Sequence, residues 1–231
     1  MKAFIALLAS LLASAAAHAS LPTDIAAEYR LVVTGLTIGH VSETYSRTGD
    51  TYAIRSVARA EGPLKLFLDE QLTLQSSGRV TDAGLQPLSF TQHRAHSDKG
   101  AIRATFDWKH GLMHTQYGDN DKQVPLPDAT QDRISVMYQF MNLHPGATVT
   151  MPMSNGRKVD VYTYRFVGEE SLETPAGRFD TMHYERVTAS AKEGKAQVWL
   201  AKDRFNFPVR VVFDDPKGPR IEQLLVALEA H

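Results

Sequence analysis

Few side chains in this 231-residue chain could carry out chemistry, and their spacing argues against most reactions. Cysteine is absent, which excludes thiol nucleophiles, disulfides and thiolate metal sites. His93 and His96 stand three apart; on a strand such positions project to opposite faces, so the two cannot share an ion without a bulge. His110 and His114 have helical spacing, but Gly111 between them marks a turn. Neither pair has a third ligand at a recognisable distance, so the four are read as surface histidines and no metal site is assigned. Glu169-Glu170 and Asp214-Asp215 are adjacent pairs that face apart in a strand, and Asp215-Pro216 opens a turn. General acid–base catalysis needs carboxyls that converge across a cleft. No nucleophile elbow, phosphate loop, zinc-protease helix or dinucleotide fingerprint occurs. No catalytic residue and no cofactor are assigned.

What remains is aromatic surface. Phe106 with Trp108, then Tyr162, Tyr164 and Phe166, then Trp199 recur on strand faces. Such rows commonly form core, but in a curved sheet they also line cavities, where the polar tips of Tyr and Trp find partners. The stretch from Phe90 to His114 carries Arg94, Lys99, Arg103 and Lys109 and could offer a mildly basic hairpin to anionic headgroups or a polysaccharide. It is read as solvent-facing strand.

The elements that must position these residues alternate with a period of two, and turn residues punctuate them every eight to twelve positions, which predicts an antiparallel meander. Tyr29, Leu31 and Val33 share one face; Tyr52, Ile54, Ser56 and Ala58 another; Leu224, Val226 and Leu228 a third. Thr48-Gly49-Asp50, Asp82-Ala83-Gly84 and Glu173-Thr174-Pro175-Ala176-Gly177 mark turns. One segment has a helical period: Thr130 or Asp132 caps it, Ile134, Met137, Tyr138 and Met141 form its apolar stripe, and His144-Pro145-Gly146 stops it. A shorter helical turn fits Pro63 to Phe67. Ten or more strands curl as twist accumulates, so the expected fold is all-β: a barrel or half-barrel with one amphipathic helix packed on it.

The N-terminus reads as a secretory signal. Lys2 is followed by an apolar run from Ala3 to Ala16, and Ala17-His18-Ala19 places small residues where signal peptidase cuts, before Ser20. That run is shorter than the roughly 18 to 20 residues that span a bilayer, and no later segment is long and apolar enough to do so. Residues 20–231 are then one β-barrel-like domain in the periplasm. The formal net charge of −1 gives no reason to expect nucleic acid as a partner.

The second half of the chain resembles domain-of-unknown-function family 3108 of exported bacterial proteins. The likeness rests on Asp132-Arg133-Ile134-Ser135-Val136-Met137-Tyr138 with His144-Pro145-Gly146, on Glu173-Thr174-Pro175-Ala176-Gly177-Arg178-Phe179, and on Val198-Trp199-Leu200-Ala201-Lys202-Asp203 with Phe207-Pro208-Val209-Arg210. Gly84-Leu85-Gln86-Pro87 fits as well. The family supplies no catalytic residues. The hairpin around Trp199 and Pro208 is also similar to one in periplasmic lipoprotein-localisation carriers, half-barrels that shield acyl chains under helices, and this implies a carrier-like architecture.

These readings converge on a non-enzymatic binder of a hydrophobic or amphipathic, lipid-like molecule, with Phe106, Trp108, Met137, Tyr138, Tyr162, Tyr164, Phe166 and Trp199 as ligand-contact residues and the helix around Met137 controlling access. Two other classes compete: an envelope module that binds a protein or glycan without a cavity, and an envelope hydrolase.

Overall fold

The structure is a computed structural model that describes residues 22–62, 71–95, 100–142, 146, 148–190 and 192–231. The signal segment, the helical turn expected at Pro63 to Phe67, His96, and His144-Pro145 of the helix stop lie outside the described residues. The first half of the chain forms β1 (Asp24–Val33), β2 (Leu36–Thr48), β3 (Thr51–Ala60), β4 (Gln71–Thr81), β5 (Gly84–Arg94), β6 (Ile102–Asp107), β7 (Leu112–Tyr117) and β8 (Asn120–Pro125). After β9 (Gln131–Asp132) comes the helix α1 (Ser135–Gln139) with a 3-10 turn at Phe140–Asn142. Then follow β10 (Val149–Ser154), β11 (Val159–Thr174), β12 (Gly177–Arg186), β13 (Lys195–Ala201), β14 (Phe207–Asp214) and β15 (Arg220–Ala230).

All fifteen strands belong to one sheet, as the alternation predicts, ordered β8-β7-β6-β5-β4-β3-β2-β1-β15-β14-β13-β12-β11-β10-β9. Neighbouring strands of the sheet pair antiparallel except β9 with β10, which run parallel because α1 carries the chain between them. The first and last strands pair in the middle of the sheet, Ile25 opposite Ala230. Burial follows the period of two: Ile25, Ala27 and Tyr29 are buried on β1 while Asp24, Ala26 and Glu28 are exposed. Among the described residues no helix is long and apolar enough to cross a membrane.

The sheet curls but does not close. Its edges, β8 and β9, share no ladder; side chains bring the two halves together instead. Ser154 Oγ on β10 donates to Met113 Sδ on β7 at 3.1 Å, and the Arg157 guanidinium sits 5.0 Å from the Tyr117 ring centroid. Gly156, at φ +82°, lies so close to Phe90 and Ile102 that a Cβ there would collide with both. Among the described residues the seam is therefore bridged by side chains and not by a ladder.

The helix lies inside this curl rather than on it. Its expected stripe is buried, with Ile134, Tyr138 and Met141 joining a core that includes Tyr29, Tyr45, Ile54 and Phe207. The opposite face is buried too: Val136 and Phe140 pack with Met151, Tyr164, Met182, Tyr184 and Leu200. A helix apolar all round belongs in an interior. It is also shorter than the sequence pattern indicates, five α-helical residues and one 3-10 turn.

Of the two expected caps, Asp132 does the work. Its Oδ1 accepts from the Ile134 and Ser135 N–H groups at 3.0 and 2.8 Å, and Ser135 Oγ accepts from the Asp132 N–H at 2.9 Å, a reciprocal arrangement like a capping box. Ser76 Oγ on β4 donates to Asp132 Oδ2 at 2.5 Å. Thr130 Oγ instead bonds the Pro127 carbonyl. Two amides fasten the segment to the β4–β5 hairpin. Gln139 accepts from the Leu85 N–H and donates to the Ala83 carbonyl, and Gln131 donates to the Leu85 carbonyl. Gly84, at φ +101°, leaves the space that the Gln139 amide fills.

Replacing Asp132 with Ala strands two backbone donors and leaves the Ser76 hydroxyl with Tyr52 alone. The expected loss in urea unfolding is about 2–4 kcal/mol, with Ser76→Ala losing only about 1 kcal/mol. Equal losses would mean that the helix cap contributes nothing beyond the serine bond.

Candidate functional site

The helix is too short to fill the curl, and a cavity of about 300 Å³ remains beside it. Alternate inward residues of neighbouring strands build one wall: Leu31 of β1, Val41 and Glu43 of β2, Ser56 and Ala58 of β3, and Leu72 and Leu74 of β4. The register explains their meeting, since Glu43 pairs with Ser56, Val41 with Ala58, and Ala58 with Leu72. Gln223, opposite Leu31, and the pair Ile221 and Phe213 continue that wall, Met153 and Tyr164 line the cavity from β10 and β11, and Arg133, Ile134, Val136 and Met137 give the side of the helix segment. Phe213 lines it while 42% exposed, which puts an aromatic ring at the opening. Hollows of about 440 Å³ elsewhere are lined mainly by polar and charged side chains, such as Arg165, Glu185, Lys195 and Gln197.

One carboxyl and one guanidinium line the cavity among the described residues, and they differ in depth. Glu43 is 8% exposed. Ser56 Oγ donates to its Oε1 at 3.0 Å, and the Tyr138 hydroxyl approaches its Oε2 at 3.5 Å. Burial raises its pKa to about 7, and the two hydroxyls offset only part of that rise. Burial, with Glu43 adding to it, also holds the Tyr29 and Tyr138 hydroxyls well above the usual phenol range, so both remain donors. Arg133 is exposed at the rim. Glu43 can keep or release a proton near neutrality beside an apolar space. Glu43 is the one carboxyl that lines that space among the described residues.

The aromatic residues expected at the site divide. Met137 and Tyr164 line the cavity. Tyr138 packs behind it, stacked on Tyr45 at 5.2 Å and edge-on to Phe207 at 6.0 Å. Tyr162 and Phe166 continue the row of Tyr164, under the Arg186 guanidinium and against Tyr184 respectively. Phe106 is buried core on β6, and Trp108 stacks on it while donating to the Pro87 carbonyl at 2.6 Å. Trp199 faces away from its inward neighbours Val198 and Leu200. It is sandwiched between His183, 4.1 Å away and nearly parallel, and the Arg210 guanidinium at 4.5 Å. Its indole N–H bonds Glu170, and Arg210 pairs with Glu222 at 2.6 Å. Burial lowers the His183 pKa. Cross-strand registry of His183, Trp199 and Arg210 accounts for that stack.

Of the expected histidines, His110 bonds Asp107 at 2.7 Å across its turn. Glu169 pairs with Lys202 at 2.6 Å, and with Glu170 it lies within β11. Sequence reasoning missed Glu43 and the rim role of Arg133. A signal for Glu43 existed: Val41, Glu43 and Tyr45 occupy alternate positions, which puts a carboxyl on the buried face.

An open, barrel-like antiparallel sheet wrapped around a short internal helix, with an apolar cavity beside it, defines the class of this protein. The chain belongs to the family described as protein of unknown function (DUF3108), which matches residues 28–226. Among solved structures, the chain is similar to a beta-barrel-like protein of domain of unknown function DUF1849 from Brucella abortus. The TM-score is 0.56 and the identity 12%, covering 91% of this chain and 98% of that one; the likeness is one of fold alone. A Bacteroides fragilis protein with a YmcC-like fold matches at 16% identity over 90% and 96% of the two chains, with a TM-score of 0.33, too low to inform the fold. Comparison with the curated proteins finds no match.

The raised pKa values carry a sign. Glu43 and Asp132 hold protons more tightly when folded than when unfolded, with values of about 7 and about 6. Their contribution is therefore fully present at low pH and is lost as pH rises toward neutrality. Glu43→Gln should gain stability relative to the parent between pH 5 and pH 8 by about 2–3 kcal/mol, read from urea midpoints at the two values. A difference independent of pH would show that Glu43 titrates normally.

Proposed function

We propose that this protein is a non-enzymatic carrier that takes the hydrocarbon chain of an amphipathic molecule into the cavity beside α1. The observation that carries this reading is an interior space of about 300 Å³ walled by Leu, Val, Ile and Met side chains, with Phe213 exposed at its opening. Pockets of small-molecule ligands are concave, mostly apolar and furnished with a few polar groups, which matches this lining. The signal-like residues 1–19 support export to the periplasm, where such a carrier would serve the cell envelope. Residues 20–231 are read as a single unit, an interpretation supported by the continuous sheet. In this reading the helix segment around Met137 controls access: a methionine side chain has several rotamers, whereas the helix backbone is held by Asp132, Gln131 and Gln139.

A module that recruits a partner by strand addition fits less well. The exposed edge strand β8 carries Asp121, Lys122 and Pro125, the charges and proline that discourage pairing with another chain.

Each buried methylene contributes about 0.8 kcal/mol, so affinity for straight-chain alcohols should rise about fourfold per carbon until the cavity is full. Calorimetry with decanol tests the site. The parent should bind one molecule, and Ala58→Phe, which fills the space while keeping the β circular dichroism spectrum, should lose binding at least about tenfold. Equal binding by both proteins would place any alcohol outside the cavity and end this reading.

A further inference from the structure

We infer that the occupant is a single-chain fatty carboxylate, bound tail inward with its head on Arg133; this rests on the carrier reading above. The backbone at Arg133 is fixed on both sides, because the carboxylate of Asp132 takes the N–H groups of Ile134 and Ser135. Residue 133 must therefore project its side chain at the cavity rim, where it is the one cation lining the space among the described residues.

The guanidinium is under-used. Its Nη1 donates to Gln92 Oε1 at 3.0 Å, and no other hydrogen bond or ion pair engages it among the described residues. Five N–H donors are thus served by one neutral acceptor. Desolvation by its neighbours depresses its pKa; Tyr162 opposes that shift and the like charge of Arg94 adds to it. A planar fork with donors to spare matches two oxygens of one anion.

The rest of the cavity sets the orientation. Glu43 lies deep and offers an anionic head no counter-charge, so the charged end belongs at the rim beside Arg133 and the chain end beside Glu43. A cationic head meets Arg133 with the wrong sign. A volume of about 300 Å³ is at the lower end for ligand pockets, which favours one chain over a diacyl lipid.

Three probes of equal length separate the claims: decanol, decanoate and decyltrimethylammonium, titrated at pH 7.5 into the parent, Arg133→Gln and Arg133→Lys. Decanoate should bind the parent at least as well as decanol, and the ammonium should bind least. Arg133→Gln should weaken decanoate about tenfold while leaving decanol within about twofold, with Arg133→Lys intermediate because it keeps charge but loses the fork. If decanol binds but Arg133→Gln leaves decanoate unchanged, or weakens both probes equally, the headgroup assignment is overturned while the carrier reading stands. If decanol does not bind the parent at all, both fall.

Discussion

A buried carboxylate that accepts three hydrogen bonds, with both oxygens engaged, is the constraint from which the rest of this structure follows. Asp132 sits at the end of β9 and accepts from two backbone donors of the helix start and from Ser76 on β4. It ties the helix, the last strand of the open edge and the opposite wall into one unit. Because the helix cannot leave that position, the sheet curls around it, and the two halves come close enough for Ser154 to reach Met113 and for Gly156 to lie against Phe90. Because the helix is short, part of the enclosed space stays unfilled.

The two buried acids of the interior have different fates for a physical reason. Burial raises both. Asp132 is surrounded by donors on both oxygens, so its protons and bonds are spent on architecture. Glu43 has one serine at 3.0 Å and one distant tyrosine, and it faces empty apolar space. A ligand chain reaching the floor of the cavity would remove the last solvation Glu43 has, and neutralising it is the less costly response. Chain burial and proton retention are therefore coupled at this residue, while charge recognition is displaced to Arg133 at the rim. Separation of the two along one cavity gives a ligand a direction.

Much of the fold was legible because alternation is a direct consequence of strand geometry. Tyr29, Tyr52 and Ile54 are buried where the pattern puts them. The helix was legible from Ile134, Met137, Tyr138 and Met141, but its location inside the sheet was not, because Val136 and Phe140 on the other face are also apolar and a stripe alone does not reveal a second covered side. The parallel β9–β10 pair and the pairing of β1 with β15 depend on long-range closure and leave no local trace. At the candidate site the aromatic rows were a partial guide. Tyr164 and Met137 reach the cavity, whereas Trp199 is consumed by a stack with His183 and Arg210 whose members are far apart in sequence. Glu43 was available from its place between Val41 and Tyr45; Arg133 becomes informative only once the rim is known.

Locating a bound chain directly tests the central claim. Crystals of the protein soaked with a fatty acid carrying bromine on its terminal carbon can be measured at the bromine absorption edge. The account predicts one anomalous peak per chain inside the sheet, among Val41, Glu43, Ser56 and Ala58, with the carboxylate toward Arg133. Peaks confined to the outer surface, or an interior filled by the protein's own side chains, would contradict it.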